Sequence, residues 1–359
     1  MIDFWVISGR RFTFYQIFNF IIMRKIFLLF IVFYACSNES QQYIHYESFP
    51  QEKSLKGDII NLSQDLFCAF PSQIELYDSI VLILDRESPN RAVHKLSYPD
   101  FNWIGSLGEK GKGDKEYIYL TKMGIKETEL YLLDPVSSKF LVYDMNVNDI
   151  YPKRVEKFSS MSSSLLSATV IDDSIIVSSD INSKKFLLFQ SYSGKLLDSV
   201  LVKEKTKKKD RELTAASLYD LKLSYNNEDF LAAATKSGEV IYIYNTKTKE
   251  GNCIVGPNGF PDYGRTDDGH ILLGKVEGFM DIKIYGDHIY SIFSGKSAIE
   301  AMISDSIGGK YIYVFDKLGT PVIKYKLDKE IFSFCVDVSR NILYGLDPNS
   351  ENFIVRYKL

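Results

Sequence analysis

The sequence predicts an all-β fold, a six-bladed β-propeller with four-stranded blades and a ring closed by an N-terminal strand. Three observations lead to this prediction. Short apolar or alternating segments recur along the chain between turn residues, and no long segment has the period of a helix. These segments come in pairs that repeat about every 50 residues, the length of a four-stranded blade. The 24 Phe and 24 Tyr among 359 residues also favour strands.

Each repeat consists of an apolar strand, a polar turn and a second apolar strand. The six repeats begin near residues 79, 129, 174, 230, 288 and 341. In the first repeat, SIVLILD is followed by the turn residues SPN and then by RAVHKL. One blade cannot bury both of its faces alone, so we expect the six to form one cooperative domain over residues 57–359.

The last repeat contains three candidate strands where a blade needs four, at residues 332–338, 341–346 and 353–359. A spare strand, GDIINL, precedes the first repeat at residues 57–62. Pairing it beside residues 353–359 would complete the sixth blade and protect a sheet edge. The alternative is that residues 57–62 are only an ordered lead-in segment.

The N-terminus carries a targeting pattern. Met23, Arg24 and Lys25 form a basic start, nine apolar residues follow, and Ala35 precedes Cys36. This order resembles a bacterial lipoprotein signal peptide and predicts that Cys36 is lipidated. Residues 1–22 would then be an upstream extension, 23–35 the signal peptide and 36–56 a lipidated tether. The alternative is an uncleaved anchor helix in which Cys36 has no role.

These features predict an outer membrane lipoprotein whose body faces the periplasm or the cell surface, with the membrane as a partner through the lipid anchor. A net charge of −3 gives the chain no overall attraction to nucleic acid. The basic run at residues 203–211 is interpreted as a solvated loop, with polyanion binding as the alternative. Cys68, Cys253 and Cys335 show no pairing pattern and are expected to be unpaired.

The sequence contains no motif that assigns catalysis, a cofactor or a metal. The glycine-rich run at residues 105–115 lacks the Lys-Ser/Thr ending of a phosphate-binding loop and is interpreted as a linker between blades. His45, His94, His270 and His288 show no two-ligand spacing, so no metal site is expected. The alternative is a metal site assembled from distant loops. No Gly-x-Ser-x-Gly motif supports a hydrolase.

The long loop at residues 256–270 is the candidate ligand-binding segment. It combines the aromatic residues Phe260 and Tyr263 with Arg265, and long loops on a rigid scaffold often carry binding residues. The alternative is a plain solvated connection, because Gly, Pro and Asp are ordinary turn residues.

Three further segments are distinctive: FPSQIEL at residues 70–76, IYSIFSGK at 289–296 and YIYVFD at 311–316. They resemble a TolB-like six-bladed β-propeller lipoprotein family of Bacteroidetes. The resemblance extends over residues 57–359 and implies a fold and an address but no reaction. The glycine-rich linker at residues 108–114 departs from the Gly-Pro-Gly-Glu-like run of the relatives.

The predicted function is therefore that of a membrane-anchored, extracytoplasmic binding module for a protein, peptide or glycan. The alternative is a propeller enzyme that acts on a glycan or a lactone with residues of the central funnel. Histidines and carboxylates clustered in the funnel would favour the enzyme, whereas a funnel lined by Tyr and Phe would favour binding.

Overall fold

The computed structural model describes residues 6–7, 10–11, 42–62, 66–147, 149–158, 165–180, 186–200, 221–261, 264–265, 271–272, 276–304 and 306–359. The chain divides into two compact units, residues 1–41 and residues 42–359. In the first unit, β1 (Val6–Ile7) pairs with β2 (Arg10–Arg11). The predicted signal peptide and Cys36 lie outside the described residues, as does the basic run at residues 203–211.

The second unit is a propeller preceded by three short strands, β3 (Gln42–His45), β4 (Glu52–Leu55) and β5 (Asp58–Ile59). Blades one to three are antiparallel sheets with their strands in chain order. Blade one contains β6 (Pro71–Tyr77), β7 (Ile80–Asp85), β8 (Arg91–Ser97) and β9 (Trp103–Glu109), and blade two contains β10 (Lys122–Lys126), β11 (Glu129–Asp134), β12 (Lys139–Asp144) and β13 (Arg154–Lys157). Blade three contains β14 (Leu165–Val170), β15 (Ile175–Asp180), β16 (Leu187–Ser191) and β17 (Leu196–Val200).

Blade four contains β18 (Leu221–Tyr225), β19 (Phe230–Thr235), β20 (Val240–Asn245) and β21 (Gly251–Val255), and a small sheet of β22 (Gly264–Arg265) and β23 (Ile271–Leu272) follows it. Blade five contains β24 (Phe279–Tyr285), β25 (His288–Phe293), β26 (Gly309–Asp316) and β27 (Pro321–Ile331). Blade six contains β28 (Ser333–Asp337), β29 (Ile342–Leu346) and β30 (Ile354–Lys358). The predicted all-β six-bladed propeller is confirmed.

The repeats recognised in the sequence are the two middle strands of each blade. The first repeat corresponds to β7 and β8, and the last to β29 and β30. Middle strands are covered on both faces by neighbouring blades, so their sequences are nearly continuous apolar runs. In β7, for example, every residue after Ile80 is buried. The first and fourth strands of a blade are more polar and give a weaker signal in the sequence.

Among the described residues, the buried apolar side chains form six clusters, and each cluster joins two neighbouring blades. The cluster between blades six and one packs Tyr344 and Ile354 against Ile74 and Ile83. The core of the propeller is thus a ring of interfaces between blades, and the blades depend on one another for burial.

The ring closes as predicted, through residues of the segment 57–62. Strand β5 pairs antiparallel with β30, with Asp58 opposite Arg356 and Ile59 opposite Val355. Gly57 permits this approach, because a Cβ at that position would lie 2.3 Å from Cγ1 of Val355. The Arg356 guanidinium also lies 3.0 Å from the Asp58 carboxylate. The sixth blade therefore takes its fourth strand from the start of the domain.

Two further N-terminal strands were not predicted, and they lie in residues 36–56, which were expected to form a tether. Strand β3 pairs parallel with β21, and β4 pairs parallel with β27. Blades four and five consequently have five strands each. The two strands lengthen existing sheets by short pairings, and their own residues are mostly polar, which explains why the sequence pattern did not reveal them.

The chain between β3 and β4 is held by an aromatic cluster. The ring centroid of Phe49 lies 4.7 Å from that of Tyr313 and 5.2 Å from that of Phe315. The Tyr46 hydroxyl donates a 2.6 Å hydrogen bond to the buried Glu239 carboxylate. This segment is thereby fixed to both blade four and blade five.

A short helix, α1 (Ala298–Ile303), interrupts blade five between β25 and β26. It begins with a capping box, in which Ser297 and Glu300 each bond the other's backbone N–H through their side chains. Among the described residues, no helix has the length and apolar character needed to span a membrane.

Replacing Phe49 with Ala tests the contribution of the N-terminal segment. Phe49 is only 8% exposed, and deleting a buried aromatic ring leaves a cavity, so we expect a loss of about 3–5 kcal/mol in the free energy of unfolding. Urea unfolding measures this loss. The control is Val136→Ala in an exposed turn, for which we expect a change within about 0.5 kcal/mol. Equal stability of the two variants would contradict the packing of Phe49 against blade five.

Candidate functional site

The first strand of every blade lines the axis of the ring. Each of β6, β10, β14, β18, β24 and β28 contacts the first strands of the two neighbouring blades. The last residues of five of these strands surround a cavity of about 530 Å³: Tyr77, Lys126, Val170, Tyr225 and Tyr285. This volume lies within the range of small-molecule sites. The cavity is the candidate functional site.

Charged side chains meet at the floor of the cavity. The Lys283 ammonium contacts the Glu75 carboxylate, and the side chains of both residues are largely buried. Gln73 donates from Nε2 to Glu75 over 2.8 Å and accepts from the Met123 N–H, also over 2.8 Å. These bonds tie β6, β10 and β24 together across the channel and fix the orientation of Glu75.

Asp281 supplies a second negative charge beside this pair. Its carboxylate accepts hydrogen bonds from the Ser333 hydroxyl, over 2.7 Å, and from the Ile282 N–H, over 2.9 Å. Burial by itself lowers the pKa of Lys283, but the charges of Glu75 and Asp281 outweigh burial and raise that pKa above its ordinary value. Lys283 therefore stays protonated.

Lys122 is in a different electrostatic position. Its ammonium donates to the backbone carbonyl of Leu223. Burial, and then the positive charge of Lys283, lower the pKa of Lys122 to about 7. Near neutral pH this side chain thus exchanges between a cation and a neutral amine, and an incoming anionic group would favour the cation.

Aromatic side chains complete the walls. Tyr131 and Phe140 of blade two join Tyr77, Tyr225 and Tyr285 around the cavity. Flat aromatic faces beside a few fixed polar groups suit an elongated ligand with apolar and hydrogen-bonding parts, such as a sugar chain or a peptide. The described histidines His45, His94 and His288 lie in strands away from this cavity.

The predicted binding loop begins directly after β21 and precedes β24 in the chain. Its start therefore lies at the end of the ring where the first strands begin, and the cavity lies at the end where those strands finish. Phe260 is half-buried and packs against the core between blades three and four, with its ring centroid 6.4 Å from that of Tyr43. The backbone of Arg265 belongs to β22, whereas Tyr263 and His270 lie outside the described residues. Phe260 does not line the cavity, and ligand binding by the loop stays a prediction.

Two other sequence interpretations can be compared with the structure. The run at residues 105–115 is divided: Gly105 and Gly108 belong to β9, and the remainder begins the linker to blade two. The three described cysteines, Cys68, Cys253 and Cys335, are free, as expected.

The charged residues of the channel were not predicted from the sequence. A signal was present, because Gln73 and Glu75 alternate in one strand, as Asp281 and Lys283 do in another. Alternate residues of a strand share a face. Only the ring places these two faces opposite each other, so the pairing of Glu75 with Lys283 could not be read from either segment alone.

Comparison with known proteins agrees with this architecture. The family described as TolB-like 6-blade propeller-like matches residues 48–339. The chain belongs to this family. The TolB-like resemblance predicted from the sequence is therefore confirmed, and the match also includes part of the N-terminal segment that adds strands to blades four and five.

Two solved structures share the fold of this TolB-like propeller. A Bacteroides fragilis protein described as exported is 12% identical, with a TM-score of 0.53, over 88% of this chain and 97% of its own. A member of the DUF4221 family from Bacteroides vulgatus is 11% identical, with a TM-score of 0.54, over 85% of this chain and 96% of its own. Such low identities show the fold alone. Among curated proteins, none matches the chain.

Replacing Lys122 with Met tests its electrostatic position. Protonating Lys122 in the folded chain is unfavourable, so wild-type stability should fall as pH drops from about 10 toward 7. Met carries no charge, so we expect Lys122→Met to be more stable than wild type at pH 7, with the difference shrinking by up to about 1.4 kcal/mol per pH unit toward pH 10.

Urea unfolding at pH 7, 8, 9 and 10 measures the difference. Exposed Lys53→Met is the control, and its difference from wild type should be nearly constant with pH. A constant difference for Lys122→Met would contradict a lowered pKa.

Proposed function

We propose that this TolB-like propeller is an exported, lipid-anchored module that binds a peptide or glycan in its central cavity. The cavity of about 530 Å³ carries the proposal. A rigid ring of mutually packed blades holds the cavity walls in place before a ligand arrives, which reduces the entropy lost on binding. A protein partner would present such a segment to the same opening.

Lys122 is the proposed polar contact for the ligand. Among the ion pairs formed by described residues, none includes Lys122, whereas the neighbouring Lys283 is paired with Glu75. A ligand carboxylate, such as that of an acidic sugar or a peptide, would complete the hydrogen bonding of the Lys122 ammonium. The tyrosines at the strand ends would contact the apolar parts of the ligand.

A second contact surface is proposed at the loop of residues 256–270, with Phe260, Tyr263 and Arg265. The start of this loop is well fixed, since Asn258 donates from Nδ2 to the buried Glu239 over 2.6 Å. Phe260 does not line the cavity, so the two proposals can be tested separately.

A catalytic function is the alternative, and the lowered pKa of Lys122 is the observation that favours it. An amine that is partly neutral near pH 7 can act as a base or a nucleophile toward a glycan or lactone. Turnover of a bound ligand that is lost in Lys122→Met, with binding retained, would support this alternative.

The ligand test begins with glycan and peptide arrays probed with the purified chain. For a ligand found there, we expect Lys122→Met to weaken binding by about tenfold or more, as loss of a charged hydrogen bond does. The matched comparison is the combined substitution of Phe260, Tyr263 and Arg265 by Ala, which leaves the cavity intact. If that variant loses affinity and Lys122→Met does not, the ligand binds at the loop and the cavity proposal is wrong.

Lipid anchoring is tested through Cys36. Cells grown with a palmitate analogue should label the wild-type chain, and Cys36→Ala should abolish the label, because a lipoprotein carries its acyl chains at that cysteine. Cys253→Ala is the matched control and should keep the label, since Cys253 is buried in blade four. Label retained by Cys36→Ala would show that the anchoring proposal is incorrect.

A further inference from the structure

Three potential metal ligands converge in blade one, and none of them lines the central cavity. They are Cys68 in the segment before β6, Asp85 at the end of β7, and His94 in the middle of β8. Their ligand atoms all lie within 4.8 Å of one another. Three separate elements of the chain thus bring a sulfur, an oxygen and a nitrogen to one point.

Asp85 has a structural role that does not depend on Cys68 or His94. Its carboxylate accepts 2.8 Å hydrogen bonds from the N–H groups of Ala69 and Phe70. Asp134 does the same at the end of the corresponding strand of blade two, where it accepts a 2.8 Å bond from the Ile118 N–H. In both blades, the aspartate carboxylate therefore holds the segment that enters the blade by accepting hydrogen bonds from its backbone N–H groups.

What differs between the two blades is the surroundings of that aspartate. His94 lies opposite Ile83 and Ser106 in the ladder of blade one. The corresponding register in blade two gives Leu141, opposite Leu132 and Val155. Cys68 immediately precedes the residue that bonds Asp85, and Tyr117 holds that place in blade two. Blade one thus has Cys, His and Ser where the same fold in blade two uses Tyr, Leu and Val.

The His94 imidazole is oriented toward the cluster. Its Nδ1 lies 2.8 Å from the Ser106 hydroxyl oxygen, which also accepts a hydrogen bond from Trp103 Nε1. Its Nε2 is buried without a hydrogen-bond partner among the described residues, 3.7 Å from the Asp85 carboxylate. The side chain is only 10% exposed. Apart from this contact with Asp85, the buried ring nitrogen has no partner among the described residues, which leaves it available to a ligand.

We propose that Cys68, Asp85 and His94 bind a divalent transition-metal ion of the zinc class. Thiolate, imidazole and carboxylate together suit Zn²⁺ and disfavour Ca²⁺ and Mg²⁺, which prefer oxygen ligands. Binding releases the Cys68 thiol proton to solvent, and His94 coordinates through the Nε2 lone pair while Ser106 fixes the ring by its other nitrogen. The ion carries two positive charges, and the thiolate and carboxylate balance them.

The geometry requires only a small adjustment. Ligand atoms around a tetrahedral zinc ion with bonds of 2.0–2.3 Å lie about 3.2–3.8 Å apart. The three side chains would thus close by about 1 Å from their largest separation. A surface cavity of about 550 Å³ is lined in part by His94, Ser106 and Trp103, so an ion would approach the cluster from the side of His94. With three protein ligands, the fourth position is available to water or to a bound group.

The test uses the untagged full-length chain, stripped with EDTA and titrated with Co²⁺ as a spectroscopic substitute for Zn²⁺. We expect one equivalent to bind and to give a thiolate-to-cobalt charge-transfer band in the near ultraviolet, which Zn²⁺ then displaces. Zn²⁺ should also raise the midpoint of thermal unfolding, because it binds the folded chain. A wild-type chain without the charge-transfer band would overturn the proposal, and this result needs no variant to fold.

Variants identify the ligands. Cys68→Ala and His94→Leu should each lower Co²⁺ affinity by about 100-fold or more, and Ser106→Ala by about tenfold through loss of ring orientation. Leu is chosen at position 94 because blade two carries Leu141 there. The matched controls Cys253→Ala and His288→Leu lie away from the cluster and should bind as wild type. Unchanged affinity in folded Cys68→Ala and His94→Leu would assign the ion to another site and overturn the proposal.

Discussion

A four-stranded blade has two faces to bury, and each face can be buried only against a neighbouring blade. This mutual burial is the constraint on which the whole structure depends. The cluster between blades five and six, for example, packs Ile312 and Tyr325 against Phe334 and Tyr357. Because every interface needs its neighbours, the ring must close, and an open end would expose a full apolar face. The pairing of β5 with β30 therefore supports all six blades.

The N-terminal segment covers sheet edges, just as neighbouring blades cover sheet faces. The fourth strand of a blade leaves a row of unpaired backbone groups at the outer rim, where another chain can pair with it. In blades four and five, β3 and β4 cover that edge in parallel pairing. Phe49 and Tyr46 then fix the intervening chain to the rim of the ring. One short segment thus protects two edges and, through β5, closes the ring.

Closure also creates the central cavity, whereas the second candidate site is formed within blade one. On the axis, six first strands face one another, and their alternating polar residues meet at close range in a confined space. Glu75 and Lys283 pair there, while Lys122 is held near a cation with a backbone carbonyl as its partner. Within blade one, the repeated geometry of the blade holds Asp85 in place, and Cys68 and His94 occupy positions that blade two fills with Tyr117 and Leu141. Comparing blades one and two thus distinguishes the aspartate that both blades share from the cysteine and histidine that only blade one has at these positions.

The sequence by itself determined the fold class, the six repeats and the strand that closes the ring. Those features are local, because a middle strand buried on both faces must be apolar along its length, as residues 80–85 are. Strands β3 and β4 escaped prediction, since Glu52 and Lys53 are exposed and the pairing depends on edges formed more than 200 residues later. The charges of the channel and the cluster of Cys68, Asp85 and His94 were decided only by the tertiary structure. Their members alternate in strands or lie in separate elements, and no spacing along the chain encodes distances that arise when blades fold and the ring closes.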